Sequence, residues 1–281
     1  MNKKELLLTA NEVRKGIIVG TFHAKSGHSG GSLSAAECIV YLYFNVMNID
    51  PKDPEKPDRD RFVLSKGHAA PALYAVLAER GYFPKEELET LRHFGSRLQG
   101  HPCFWTPGVD MSTGSLGQGY SAAVGMALSA KISNESYRTY ALLGDGELEE
   151  GQVWEASMFA GNRKLDNLCV IVDNNDLQID GHLSEVNSPY PIDKKFEAFG
   201  FHVINVEDGN DFDQLAAAFE EAASVKGCPT CIVMKTVKGK GISFMENNVG
   251  WHGKATNAEE FKAAMDELTK AEEEICRMTD T

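Results

Sequence analysis

The sequence contains no apolar run that approaches the roughly 20 residues of a membrane span. The N-terminus, Met1-Asn2-Lys3-Lys4-Glu5, has no continuous apolar stretch behind it of signal-peptide length. A cytoplasmic, reducing compartment is the resulting expectation. Positive charge is scarce: 28 Lys and Arg against 41 Asp and Glu leave a formal charge of −13. That balance argues against a nucleic-acid or anionic-membrane surface, because phosphate contacts need an excess of Lys and Arg. It leaves room for a local basic pocket that holds a small phosphorylated ligand, and Lys235, Lys238 and Lys240 cluster in the otherwise acidic chain. Cysteine is sparse as well. The six cysteines (38, 103, 169, 228, 231 and 276) are scattered and lie mostly in apolar runs. Cys228-Pro-Thr-Cys231 has no second ligand pair for zinc and runs into strand-like Cys231-Ile-Val-Met-Lys rather than a helix start, so it reads as incidental.

The 281 residues are 42% apolar and 25% charged, an ordinary balance for a globular protein able to bury a sizeable core. Leu7, Ala10, Val13, Ile17 and Ile18 recur at helical spacing within 4–25. Further helices are expected at 33–47 and at 69–80, the latter stopped by Gly81. The polar, Pro-rich stretch Asp50–Asp58 between them reads as a surface connection. From residue 114 onward helices alternate with short apolar runs. Helical patterns at 121–130, 153–163 and 212–224 are interleaved with strand-like runs at 140–143, 168–172, 201–206 and 230–235. An acidic helix at 257–275 closes the chain. Short continuous apolar strands alternating with helices indicate an α/β fold of three layers, a mostly parallel sheet with helices on both faces. There are no internal repeats and no low-complexity tract.

In such a sheet, ligands bind beyond the carboxyl ends of the strands, where the strand order reverses. Gly144-Asp145-Gly146 and Asp173-Asn174-Asn175 stand there after two successive strands, so both can face one crevice. A lone Gly-Asp-Gly is usually only a turn. Coupled to a following helix, a strand and Asn-Asn, it becomes a much rarer pattern. The glycines allow a tight turn and close approach of a diphosphate to the backbone. Asp145 offers a hard oxygen ligand, Asn175 another, and the carbonyl of Leu177 a third; Mg2+ wants six oxygens and takes the rest from phosphates and water.

Gly144-Asp-Gly-Glu-Leu-Glu-Glu-Gly-Gln-Val-Trp-Glu155 and Asp173-Asn-Asn-Asp-Leu-Gln-Ile-Asp-Gly181 resemble the transketolase family. So do Lys25-Ser-Gly-His-Ser-Gly-Gly31, Arg61-Phe-Val-Leu-Ser-Lys-Gly-His-Ala-Ala70, Gly100-His-Pro102, Thr113-Gly-Ser-Leu-Gly-Gln-Gly119 and Trp251-His-Gly253, in family order and over nearly the whole chain. The resemblance implies thiamine diphosphate and Mg2+ (with Ca2+ or Mn2+ as substitutes), the metal held by Asp145, Asn175 and the Leu177 carbonyl. It places Lys66, His68, Gly114, Ser115, Leu116, Gly146, Asn175, Lys238 and His252 around the cofactor, with the two lysines near the diphosphate. It makes His28, His101 and His252 catalytic residues of the substrate channel, with His28 and His252 assisting proton transfers to the hydroxyls of a donor ketose. Imidazole suits that task near neutral pH. His23, His93, His182 and His202 lack such motifs and read as structural. Glu150 and Glu155, at a helix start that favours acidic residues, match glutamates near the family's subunit interface. Ser29 departs from the family, where Pro is common.

Full-length transketolases continue into a pyrimidine-binding domain and a C-terminal domain. The resemblance makes residues 1–281 a single diphosphate-type domain, with those two domains absent. The missing part carries the glutamate that protonates the aminopyrimidine, the aromatic pyrimidine pocket and most sugar-phosphate-binding groups. The implied protein is the N-terminal subunit of a split transketolase, transferring a two-carbon ketol unit between sugar phosphates of the pentose phosphate pathway. It would act with a separate C-terminal subunit, in a heterotetramer of two of each chain, with no nucleic-acid or membrane partner. Three alternatives remain. One is a 2-oxo acid dehydrogenase α-type subunit, which would lack Ser-Gly-His-Ser-Gly-Gly and Leu-Ser-Lys-Gly-His. Another is a transketolase-like enzyme for unusual sugars, sulfonated or branched. The third is a non-catalytic nucleotide-binding module, for which the G-x-x-G-x-G at Gly114–Gly119 speaks only weakly.

Overall fold

The computed structural model describes residues 1–279. The chain opens with α1 (Lys3–Ala24), α2 (Ser29–Leu33) and α3 (Ala36–Tyr41), then passes through β1 (Arg61–Leu64), α4 (Ala70–Arg80) and α5 (Gln118–Ser133). It continues with β2 (Thr139–Gly144), α6 (Gly151–Asn162), β3 (Leu168–Asn174), the short β4 (Leu177–Gln178) and β5 (Gly181–His182), α7 (Leu183–Val186) and α8 (Ile192–Ala198). The last elements are β6 (His202–Val206), α9 (Phe212–Ser224), β7 (Thr230–Lys235) and α10 (Ala258–Arg277).

Five strands form one parallel sheet in the order β1-β2-β3-β7-β6. Successive side chains of a strand point to opposite faces, and here both faces are buried. Along β2, Tyr140 and Leu142 enter one apolar layer while Ala141 and Leu143 enter the other. The first layer is filled by α1, α3, α4 and α9, and by Ala264 and Leu268 of α10; the second by α5, α6 and α8. Each fully buried Leu or Ile contributes about 1.5–3 kcal/mol, and Leu142, Leu143, Ile171 and Ile232 are all fully buried. The three-layer α/β arrangement expected from the sequence is therefore the one found. Among the described residues, no helix is long and apolar enough to cross a membrane.

Three details can be set against the sequence reading. The helix expected at 33–47 is found over 36–46, where α3 runs directly into a π-helical turn at Leu42–Val46; it starts three residues later than expected, after a break from α2 at 34–35. Ser34, between them, donates its hydroxyl to the buried carboxylate of Asp173 at 2.6 Å, which holds the break in place. A strand, β1, precedes residue 114, where alternation was expected to begin; it is only four residues long and had not been assigned as a strand. As read from the sequence, the CxxC runs into a strand: Cys231 lies inside β7 and is fully buried, and all six cysteines are free.

The order matters for the site. From β1 to β3 the chain steps across the sheet in one direction, and from β6 to β7 it steps back, so the reversal falls between β3 and β7. The carboxyl ends of β1, β2, β3 and β7 converge there.

Candidate active site

Asp145 follows β2 and is 3% exposed. One of its oxygens accepts from the Gly146 N–H at 2.8 Å and the other from the Asp176 N–H at 2.7 Å. Burial, and then the nearby Asp173 carboxylate, push its pKa up to about 7. Asn175 lies beside it: its Oδ1 accepts from the Leu177 N–H at 3.2 Å, and its Nδ2 donates to Asp173 at 3.4 Å. The Leu177 carbonyl accepts from the Lys238 ammonium at 2.7 Å.

Asp173 is fully buried and lies behind the pocket lining. It pairs with the Lys66 ammonium and accepts hydroxyl hydrogen bonds from Ser34 and Thr236. Burial opposes its ionisation, yet Lys66 and those hydroxyls hold its carboxyl below the usual range. Asn174 points a third way, its Oδ1 accepting from the Tyr190 hydroxyl at 2.7 Å.

Three imidazoles close the other side of the pocket. Ring centroids lie 5.2 Å apart for His28 and His68, 5.5 Å for His28 and His252, and 5.3 Å for His68 and His252. Lys238, 2% exposed, stands 3.0 Å from His252 Nδ1. Burial first, then surrounding positive charge, lowers the His28 pKa to about 4 and the His252 pKa to about 3, and holds His68 well below the usual value. All three rings are thus neutral at pH 7. Burial, then Lys66, lowers Lys238 itself to about 8.

These groups enclose a cavity of about 290 Å³. His28, Lys66, His68, Asp145, Asn175 and Lys238 line it, and Gly114, Leu116, Gly146, Leu177 and His252 complete the set named from the sequence. Two of the named residues stand apart from the lining. Ser115 is exposed, between the lining Gly114 and Leu116. His101 packs its ring against Gly114, where an added Cβ would lie 3.1 Å from it. The basic cluster suggested by the sequence is not a cluster. Lys235 pairs with Glu207 and Lys240 lies 4.0 Å from Glu246, so only Lys238 turns inward, and its companion is Lys66 from the end of another strand. His182 is exposed and bonded to Asp176, and the half-buried His202 is bonded to Glu221, while Glu150 and Glu155 are exposed, on the turn before α6 and on α6.

Sequence reasoning passed over Glu147. It is 2% exposed and accepts from the N–H groups of Gly117 and Gly144 at 2.8 and 3.1 Å, and from the Ser65 hydroxyl. One carboxylate thereby ties the ends of β1 and β2 to the loop that carries Gly114–Leu116. Its place in an acidic run after Gly-Asp-Gly concealed it among exposed glutamates.

Among the described residues, no group of three or more His, Cys, Asp or Glu could hold a metal ion. The donor set at Asp145, Asn175 and Leu177 is instead a carboxylate, an amide and a carbonyl, which suits a hard divalent cation. A cation already meets that carbonyl, the ammonium of Lys238. The two buried ammonium groups and the glycine backbone at Gly114 and Gly146 suit a phosphorylated ligand beside such an ion.

Residues 8–275 match the sequence model of a family described as transketolase, thiamine diphosphate binding domain. The chain is 48% identical over 263 residues to a 6-deoxy-6-sulfo-D-fructose transketolase subunit of Clostridium sp., covering 93% of this chain and 95% of that protein. It is 39% identical over 275 residues to an apulose-4-phosphate transketolase subunit of Phocaeicola vulgatus, covering 98% of each. It is also 48% identical over 250 residues to the transketolase of Homo sapiens, covering 88% of this chain but 39% of that protein. A crystal structure of transketolase from Campylobacter jejuni superposes with a TM-score of 0.90 at 32% identity, over 98% of this chain and 46% of that one. The chain thus spans nearly the whole of the subunit relatives and less than half of the longer transketolases.

Proposed function

The chain belongs to the transketolase family, and from that membership we propose that it is the diphosphate-holding subunit of a two-chain, thiamine-diphosphate-dependent transketolase. Its reaction is the transfer of a two-carbon ketol unit from a ketose phosphate to an aldose phosphate, as in the pentose phosphate pathway, in the cytoplasm. Its partner is a separate C-terminal subunit, two copies of each chain forming the enzyme. The observation that carries this reading is the single pocket that sets three oxygen donors opposite three neutral imidazoles.

In this reading Asp145, Asn175 and the Leu177 carbonyl hold Mg2+, and Ca2+ or Mn2+ can substitute on the same oxygens. Lys238, Lys66 and His68 face the diphosphate, while Gly114, Ser115, Leu116 and Gly146 offer it backbone. Bound there, thiamine diphosphate supplies the electron sink for carbon–carbon bond cleavage. The chain's own part is proton handling. His28 and His252, neutral at pH 7, accept hydrogen bonds from sugar hydroxyls and take up their protons, which a cationic imidazole cannot do. His101, at the rim, orients the sugar as it enters.

Assaying ketol transfer with the chain alone and mixed with a C-terminal subunit tests the two-chain reading, which full activity of the isolated chain refutes. Titration with thiamine diphosphate and with ATP, each with Mg2+, tests the cofactor; binding of ATP alone overturns it. Asp145→Ala is expected to abolish Mg2+-dependent retention of the cofactor with the fold intact.

A second reading concerns the sugar. Identity is 48% both to the 6-deoxy-6-sulfo-D-fructose relative and to the human enzyme, so similarity does not select between a sulfonated and a phosphorylated donor. Parallel assays with both donors make the choice.

A further inference from the structure

Arg92 holds an unusual position beside the pocket. It follows a 3-10 turn at Lys85–Thr90 and adopts a left-handed backbone conformation with φ of 61°, which costs a non-glycine residue about 1–2 kcal/mol. Its N–H donates to the Leu98 carbonyl at 2.8 Å, which closes the 92–98 loop. The guanidinium Nη1 donates to the Ser26 hydroxyl at 2.6 Å, two residues before His28. The same group lies flat on Gly100, next to His101: a Cβ there would stand 2.8–2.9 Å from Nε, Cζ and Nη2. Its Nε is buried with no hydrogen-bond partner, and among the described residues no carboxylate pairs with it.

We propose that Arg92 is a positioning residue for the substrate-facing histidines, its guanidinium tying the loop that carries His28 to the loop that carries His101. The inference rests on the reading of those two rings as groups that meet the sugar. A planar guanidinium can bond one loop through its edge, here Ser26, while its face packs on another, here Gly100, which an ammonium cannot do. The charge has a second consequence. Arg92 faces both rings, His28 is also faced by His101, Lys238, His68 and His252, and after burial Arg92 is the largest influence lowering either ring's pKa. The guanidinium thus adds to burial in lowering the pKa of both rings.

The test compares Arg92→Gln, Arg92→Lys and Ser26→Ala. Ring titrations of His28 and His101 are followed by NMR on the chain, and kcat and KM for the ketose donor on the reconstituted enzyme. Arg92→Gln is expected to raise both ring midpoints, by about one pH unit for His28. It is also expected to lower kcat/KM roughly 100-fold, the cost of a displacement of about 1 Å at a reacting group, with thiamine diphosphate affinity retained. Arg92→Lys is expected to restore the ring midpoints but not kcat/KM, and Ser26→Ala to lower kcat/KM with the midpoints unmoved. Unchanged midpoints and unchanged kcat/KM in Arg92→Gln overturn the proposal, as does full rescue of kcat/KM by Arg92→Lys. If Arg92→Gln does not fold, Ser26→Ala and Gly100→Ala decide. Lowered kcat/KM with the cofactor retained supports the bracket, and normal kcat/KM in both removes it. Failure of the transketolase reading shows separately, as absent ketol transfer in the unaltered complex, while the ring titrations stay readable on the chain.

Discussion

Replacing Asp145 by Asn deletes a buried charge while keeping the side chain's shape, and the structure sets the size of the effect. A free aspartate ionises near pH 3.9; here burial and the Asp173 carboxylate push the pKa up to about 7. A rise of roughly three units corresponds to about 4 kcal/mol. The folded chain holds this proton more tightly than the unfolded chain, so its contribution to stability is lost as pH rises, starting near pH 4 and complete a little above pH 7. Against that gain, Asn has one acceptor oxygen for the two N–H donors of Gly146 and Asp176. Its amide meets one of them donor to donor, at about 1–3 kcal/mol. The balance near pH 8 favours the variant by about 2 kcal/mol, or roughly 4–8 °C in melting temperature. Near pH 5 the native carboxyl is already neutral and the difference is expected to change sign. Thermal melts of both proteins at the two pH values, in a chelator, measure this directly. Adding Mg2+ and thiamine diphosphate is expected to raise the melting temperature of the native chain only. Equal melting temperatures near pH 8, or a difference that ignores pH, would refute the claim that Asp145 carries an uncompensated charge.

Lys66→Met strands the Asp173 carboxylate in the core and is expected to cost about 3–5 kcal/mol in urea denaturation; a loss below about 1 kcal/mol contradicts the buried pair. His252→Ala is expected to slow ketol transfer about 10²–10⁴-fold with cofactor affinity unchanged, and loss of the cofactor instead assigns the ring a structural role. Gly67→Ala puts a Cβ 2.7–2.9 Å from Thr113 Oγ1, Gly114 N and the Thr113 carbonyl carbon. Relief requires the backbone of the Gly114 loop to move, so calorimetric titration is expected to show about tenfold weaker thiamine diphosphate binding, from about 1–3 kcal/mol of overpacking.

The alternation of apolar runs and helices after residue 114 was legible because β2, β3 and β7 are buried on both faces and read as continuous apolar words. The 33–47 helix was legible too, apart from its start: the break at Ser34 is held by a hydroxyl bonded to Asp173, 139 positions away in sequence, which no local pattern shows. The pocket residues were legible where a motif flanked them. Charges whose partners are remote were not. Lys235 and Lys240 look like neighbours of Lys238, yet glutamates on the surface take them. Glu147 and Arg92 act through backbone groups and hydroxyls of other loops, which no local pattern encodes.

Asp173, Asn174 and Asn175 are consecutive, and each serves a different compartment: the core ion pair, the Tyr190 side and the pocket. Because side chains alternate along a strand, a one-residue insertion or deletion within β3 would reassign all three at once, driving an amide into the core and a carboxylate out of its ion pair. Conservative substitutions at each position change one compartment alone. For this strand, drift in length is therefore far costlier than drift in composition, and relatives that have changed many of its side chains should still count the same number of residues from Leu168 to Asn175.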